Sequence, residues 1–382
     1  MTESKKDLSI INNLISRKQP FAFYRLPEQE KLCFLTQTTG EAEAIFNVES
    51  IHNKPGFILA PFRIKKGSPA WRIRPDYIDT NFPLETGKKS NSTTSTAPNG
   101  TEERKIDDNS RTGGNEISPS ANVGDFEQYA SCFRSFIEPL RKGIYDKLVL
   151  SRRVVYPGYS GFSPEHALYE ACRRYVHSYV YLCYTPQTGV WLGSTPEMLL
   201  SGEADRWNTV ALAGTMSLEN GQLPEEWSNK NKEEQQYVAD YIRKQLRSVG
   251  ITPEEHGPYP SYAGALSHLK TDFHFHADTA RLGELLKVLH PTPAVCGLPK
   301  EKAYRFIKEN EGYDRNYYSG FVGMLNPLGK TDLYVNLRCL NYKVNELSLY
   351  AGSGLLSASE LEDEWQETEK KLQTMKRLLF SE

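Results

Sequence analysis

The chain has 382 residues and a mass of 43.4 kDa, with 46 Lys+Arg against 48 Asp+Glu and a formal net charge of −2. That balance lacks the broad basic surface of a duplex nucleic-acid binder, while 38% hydrophobic residues suffice for a large core. No stretch reads as a membrane span or secretory leader, and six scattered cysteines (Cys33, Cys132, Cys172, Cys183, Cys296, Cys339) form neither C-x-x-C nor zinc spacing, so a cytoplasmic enzyme with reduced thiols is expected.

Residues 20–85 contain short strand-like runs, FAFYRL, KLCFLT and GFILAPF. Residues 86–124 are polar and rich in Gly, Ser, Thr and Asn, with too little apolar area to offset ordering entropy, which predicts a flexible insert. Its two sequons, at Asn91 and Asn99, read as accidents of composition. Asp125 is expected to cap a helix carrying Phe126, Tyr129, Phe133, Ile137 and Leu140 at helical spacing, with Gly143 as the stop. A strand over 147–155 follows, then a helix opened by Ser163-Pro164 and a hairpin across 179–201 that turns at Gln187-Thr188-Gly189. The spacing next predicts a strand through VALAGT and helices over 232–249, 280–289 and 300–310. Further hairpin strands (FVGML, LYVNLRCLNY, LSLYAGSGLL) lead to a C-terminal helix over 360–380. Short turns between adjacent strands favour an α+β architecture with mainly antiparallel sheets.

Several polar residues could carry chemistry, each beside an ordinary structural explanation, and Glu234 is the one whose placement most needs a reason. On the C-terminal helix, Leu361, Trp365, Leu372, Met375 and Leu379 share one face, bordered by Glu364, Glu367 and Lys371. A solvated Glu367–Lys371 pair is the ordinary explanation; two carboxylates at i,i+3 also present hard oxygens to a cation such as Mg²⁺. Glu234 lies in register with Val238, Ile242 and Val249, on the side expected to be buried, where a carboxylate needs a partner. Lys147 opens a strand and either snorkels to water or, if desolvated, serves as a base. Glu197, after Ser194-Thr195-Pro196, is a surface turn residue or, if buried, a general acid. Arg338 falls inside the apolar run LYVNLRCL and calls for an anionic partner. Gly214-Thr215, ending one strand, and Gly352, in a Gly-Ser-Gly run after another, would let backbone N–H groups approach a carboxylate. His268, His274 and His276 invite a metal reading, but no acidic or thiol ligands share a recognisable spacing with them.

Taken together, KLVLSRR, GSTPEMLL, LAGT, KNKEEQQYVADYI, LSHL, LHPTPAVCGLPKEKA, RNYYSGFVG, NLRC and AGSGLLSASELEDEWQETEKK stand in the order found in the chorismate-utilising enzymes. Over 125–380 the chain resembles that family, which includes the isochorismate, salicylate, anthranilate and aminodeoxychorismate synthases. The resemblance implies one large α+β domain in which two mainly antiparallel sheets pack as a sandwich flanked by helices. Residues 1–85 would form its N-terminal part, 86–124 the insert and 125–382 the catalytic core.

Carried over by position, the resemblance implies Mg²⁺ held by Glu234 and Glu367, with Glu364 supporting through water. The metal, the Gly214 backbone and Thr215 would hold the ring carboxylate of chorismate. Arg338, aided by Tyr318, would bind the enolpyruvyl carboxylate, with Lys371 and Gly352 completing the anion site and Ala294 lining it. Lys147 and Glu197 would be base and acid. A lysine at 147 resembles the water-using members rather than the anthranilate synthases, and Ala213 stands where the aminodeoxychorismate enzymes carry lysine. The implied activity is the isochorismate synthase reaction, in menaquinone or siderophore biosynthesis, without an amidotransferase subunit; no exposed heptad or apolar stripe stands out, so a monomer is expected. A salicylate synthase that also eliminates pyruvate, and a catalytically inactive paralogue acting as a binding or regulatory subunit, are the competing expectations. Met216-Ser217 after Gly-Thr and Gln235 after Glu234 depart from the usual pattern.

Overall fold

Runs rich in aromatic and β-branched residues, such as FAFYR, YVYLCYT and GVWLGST, take up strands that are buried along their whole length. In the computed structural model, which describes residues 7–84, 123–263 and 266–380, these strands assemble into two nine-stranded sheets. The first runs in the order Gly297–Leu298, Lys147–Pro157, Glu346–Leu355, Cys339–Lys343, Gly189–Thr195, Tyr179–Thr185, Phe21–Arg25, Leu32–Thr36, Tyr77–Phe82. The second runs Glu254–Ala263, Leu266–His276, Arg206–Ser217, Met198–Glu203, Thr331–Val335, Phe321–Leu325, Gly56–Ala60, Ala70–Ile73, Glu43–Ile45. Their pairings are antiparallel, so the α+β sandwich is as expected. Strands from residues 7–84 belong to both sheets.

A core of tyrosine, tryptophan and aliphatic residues fills the space between the sheets. Tyr179 of the first sheet stacks on Tyr334 of the second, ring centroids 4.2 Å apart. Apolar helix stripes cover other sheet faces: Val238, Ile242 and Leu246 of helix Asn229–Ser248 enter one cluster, and Leu372, Met375 and Leu378 of helix Leu361–Leu379 another. Leu378, not the expected Leu379, is the buried residue at that end.

The boundaries differ from the sequence expectations in instructive ways. Asp125 lies within the first turn of helix Val123–Arg141, where its charge suits the helix dipole, and is not the cap. The polar insert falls outside the described residues except for its last two, which begin this helix. Helix Asn229–Ser248 starts before residue 232 because Ser228 Oγ accepts from the Asn231 N–H at 3.2 Å. Before helix Leu282–Leu289, residues 279–281 form a 3₁₀ turn capped by Asp278. The hairpin over 179–201 ends at Thr195, and Met198–Glu203 joins the other sheet.

Two such changes of sheet position the functional cavity. Pro196, which has no N–H for a ladder, ends the first-sheet strand, and Glu197 bridges to the second. Asn336 to Arg338 make the return crossing, so Arg338 is not inside a strand; its φ of 47° breaks the extended backbone. The crossings run side by side, joined by Ser194 N–H to Arg338 O at 3.0 Å and Val335 N–H to Glu197 O at 2.9 Å. Gly214-Thr215, expected at a strand end, lies inside Arg206–Ser217 at a bulge opposite Leu269 and His268, where Gly214 adopts φ 73°. Gly352 likewise lies inside a strand, paired with Ser151.

Candidate active site

The cavity beside the crossings is lined by Glu197, Gly214, Thr215, Glu234, Ala294, Tyr318, Arg338, Gly352 and Lys371, all singled out from the sequence. Lys147 and Glu367 sit just behind its wall: Lys147 Nζ donates to Glu234 Oε1, and Thr215 Oγ1 and Lys371 Nζ donate to Glu367 Oε1. Glu364 stands one step further back, paired with Lys230.

Strand alternation turns Lys147 inward beneath helix Asn229–Ser248. It is 0% exposed, which excludes snorkelling, and its ammonium lies 2.7 Å from Glu234 Oε1. Gly354 makes room for this pair: a Cβ there would fall 2.1 Å from Glu234 Oε1 and 3.0 Å from Lys147 Cε.

Glu197 is buried as well, with Thr292 Oγ1 donating to its Oε1 at 3.2 Å. Burial is the main cause that pushes its carboxyl up to about 7, against the opposing pull of Thr292, Lys147, Lys371 and Arg338. It therefore exchanges a proton near neutrality.

The Arg338 guanidinium is held from two sides. Nη1 donates to Ala263 O at 3.1 Å and Nη2 to His268 Nε2 at 3.0 Å. His268 Nδ1 lies 2.9 Å from Gly214 O, so Nδ1 carries the hydrogen and Nε2 accepts. Burial, reinforced by Arg338 and Lys371, pushes the imidazole down to about 3 and keeps it neutral. His268 thus orients the arginine. His274 and His276 are exposed on the same strand and take no part in a metal cluster with it.

The three carboxylates expected as metal ligands each have a lysine: Lys147 on Glu234, Lys230 on Glu364, Lys371 on Glu367. They are not gathered into one ligand set, and among the described residues no group of three His, Cys, Asp or Glu is arranged to hold a metal ion. Each carboxylate is instead neutralised by its own ammonium. In donor type they fit a hard divalent cation, and Glu364 Oε2 is a buried acceptor without a partner. Burial and the neighbouring Glu367 push the Glu364 carboxyl up. Burial also acts upward on Glu367, but Lys371 and Lys230 outweigh it and hold this carboxyl below its usual range.

With this geometry in view, comparison with known proteins is decisive at the family level. The family model described as chorismate binding enzyme matches residues 72–380. The chain belongs to the chorismate-binding enzymes. It is 30% identical over 241 residues to the isochorismate synthase EntC of Escherichia coli K12, covering 60% of this chain and 61% of EntC. To the isochorismate synthase DhbC of Bacillus subtilis it is 29% identical over 283 residues, covering 67% of this chain and 69% of that one. The match thus spans about three fifths of EntC. In fold it resembles DhbC of Bacillus anthracis, with a TM-score of 0.74 at 24% identity over 96% of this chain and 99% of that one. The menaquinone-specific isochorismate synthase MenF of Escherichia coli gives 0.73 at 20% identity, over 94% and 89%. These two likenesses concern the fold.

In this chorismate-binding enzyme, three functional contacts escaped sequence reasoning. Lys230 lies one turn before Glu234, and nothing in KNKEEQQ separates it from a solvated lysine. Thr292 had a faint signal as a polar residue locked between two prolines. His268 is legible in sequence only as a metal candidate beside His274 and His276, because its partner Arg338 is 70 residues away in the chain.

Proposed function

We propose that the chain is an isochorismate synthase, converting chorismate to isochorismate for menaquinone or siderophore assembly. The observation that carries this reading is the pair Lys147 and Glu197: a buried lysine just behind the cavity wall, and a buried carboxyl, itself poised near neutrality, that lines the cavity with Arg338 and Lys371. The names of EntC and DhbC support it.

Chorismate carries two carboxylates, and the cavity is lined by two cationic side chains, Arg338 and Lys371. Arg338, fixed by His268 and aided by Tyr318, takes the enolpyruvyl carboxylate. Thr215 and the Gly214 backbone would hold the ring carboxylate, and Lys371, donating to Gly352 O at 2.9 Å, would complete the anion site. When bound, Mg²⁺ would be held by Glu234 and Glu367, supported by Glu364, and would supply charge neutralisation for the ring carboxylate. Lys147 removes a proton from the water that adds at ring C2. Glu197 gives its proton to the C4 hydroxyl, which leaves as water, so one water enters and one departs. As a base Lys147 must be neutral, and therefore released from its pairing with Glu234. Water as the nucleophile needs no amidotransferase subunit, and the chain is proposed to act as a monomer. Among the described residues no helix is long and apolar enough to cross a membrane.

Incubation of the purified chain with chorismate and Mg²⁺ tests the reading. Isochorismate without pyruvate is the expected result. Stoichiometric pyruvate and salicylate would identify a salicylate synthase, and unchanged chorismate an inactive paralogue.

A further inference from the structure

The loop between helix Leu282–Leu289 and strand Gly297–Leu298 is tied down on several sides. The His290 ring places Nε2 3.1 Å from Phe62 O, and Lys300 Nζ donates to His290 O at 2.9 Å. The N–H groups of Val295 and Cys296 both donate to Thr292 O, at 3.1 and 3.0 Å. Arg315 Nη1 donates to Val295 O at 2.7 Å, and the Val149 N–H to Cys296 O at 2.9 Å. Pro291 and Pro293 restrict the backbone on either side of Thr292, and a β-branched side chain is stiff about χ1. The Thr292 hydroxyl therefore has a fixed place, and it is spent on Glu197 Oε1.

We propose that Thr292 is a positioning residue, which holds the Glu197 carboxyl in the orientation that delivers its proton. This rests on the reading of Glu197 as the general acid. Thr292 Oγ1–H is the hydrogen-bond donor to the side chain among the described residues, and its bond favours the carboxylate. The other groups that face Glu197 are cations: Lys147 from its strand, Lys371 from the C-terminal helix and Arg338 from the neighbouring crossing. These act through charge over a distance and do not set the direction of the carboxyl. Orientation falls to the one short contact.

The test compares Thr292→Val, which keeps the shape and removes the hydroxyl, with Thr292→Ser, which keeps the hydroxyl. With chorismate and Mg²⁺, Thr292→Val should lose about 10-fold in kcat with KM within about two-fold of wild type. The basic limb of its kcat–pH profile should move up by about one unit, since the lost donor favoured the carboxylate. Thr292→Ser should restore both to within about three-fold and a few tenths of a unit. Thr292→Ala repeats the comparison without the valine methyls, so a packing defect peculiar to valine does not decide it. A Thr292→Val enzyme with an unmoved pH profile, or a Thr292→Ser enzyme as defective as Thr292→Val, overturns the assignment. If wild type turns chorismate over in that experiment, only the role of Thr292 falls. If wild type leaves chorismate unchanged, the isochorismate synthase reading falls first, and the role of Thr292 with it.

Discussion

Lys147 Nζ and Glu234 Oε1 meet at 2.7 Å where the lysine is wholly removed from solvent, joining the first sheet to helix Asn229–Ser248. Removing one member of such a pair leaves the other charged and buried, at a cost of about 3–5 kcal/mol. Lys147→Ala should therefore lower stability in thermal unfolding and reduce isochorismate formation by at least roughly 10²-fold. Combining Lys147→Met with Glu234→Gln should recover stability without activity. Wild-type turnover by Lys147→Ala would remove the lysine from the role of base.

Glu197→Gln separates catalysis from stability. The folded protein holds the Glu197 proton up to about pH 7, whereas an ordinary glutamate has lost it by about 4.5. Between those values the folded state binds more protons than the unfolded, so the contribution of Glu197 to stability falls as pH rises. Glutamine has no such dependence. The melting temperature of Glu197→Gln should gain on wild type between pH 5 and pH 8 and hold its lead above that, while turnover drops at least about 10²-fold. Parallel melting curves for the two proteins across that range would contradict the raised carboxyl.

Gly354→Ala probes the space left for the Lys147–Glu234 pair. Its Cβ would sit 2.1 Å from Glu234 Oε1, so the carboxylate must swing away. Loss of turnover and a lower melting temperature are expected together; full activity would show that the pair tolerates displacement.

Glu367→Gln addresses the metal. It removes a charged oxygen from the proposed ligand set and leaves Lys371, 14% exposed in its side chain, without its carboxylate. Titration calorimetry should show Mg²⁺ binding weakened by at least about 10-fold. Unchanged Mg²⁺ affinity would refute this ligand.

Local pattern carried much of the molecule. Period-two runs such as 147–157 and helical stripes such as that of helix Leu361–Leu379 are visible in sequence because side-chain direction follows from backbone repeat alone. The motif blocks named the residues that line the cavity, and a charged residue on the apolar face of a helix or inside an apolar run is itself a signal, as Glu234 and Arg338 show. The sequence by itself determined the elements, the antiparallel α+β class and the chemical types available to the site. Tertiary structure decided the rest. Whether Lys147 meets water depends on the helix above it, and where Arg338 points depends on a change of sheet and on His268. Which lysine neutralises Glu234 and Glu364 depends on elements far apart in the chain, whereas Glu367 and Lys371 pair at i,i+4 on one helix. Burial, and pairing between elements, are properties of several elements packed together, and no period within one element encodes them.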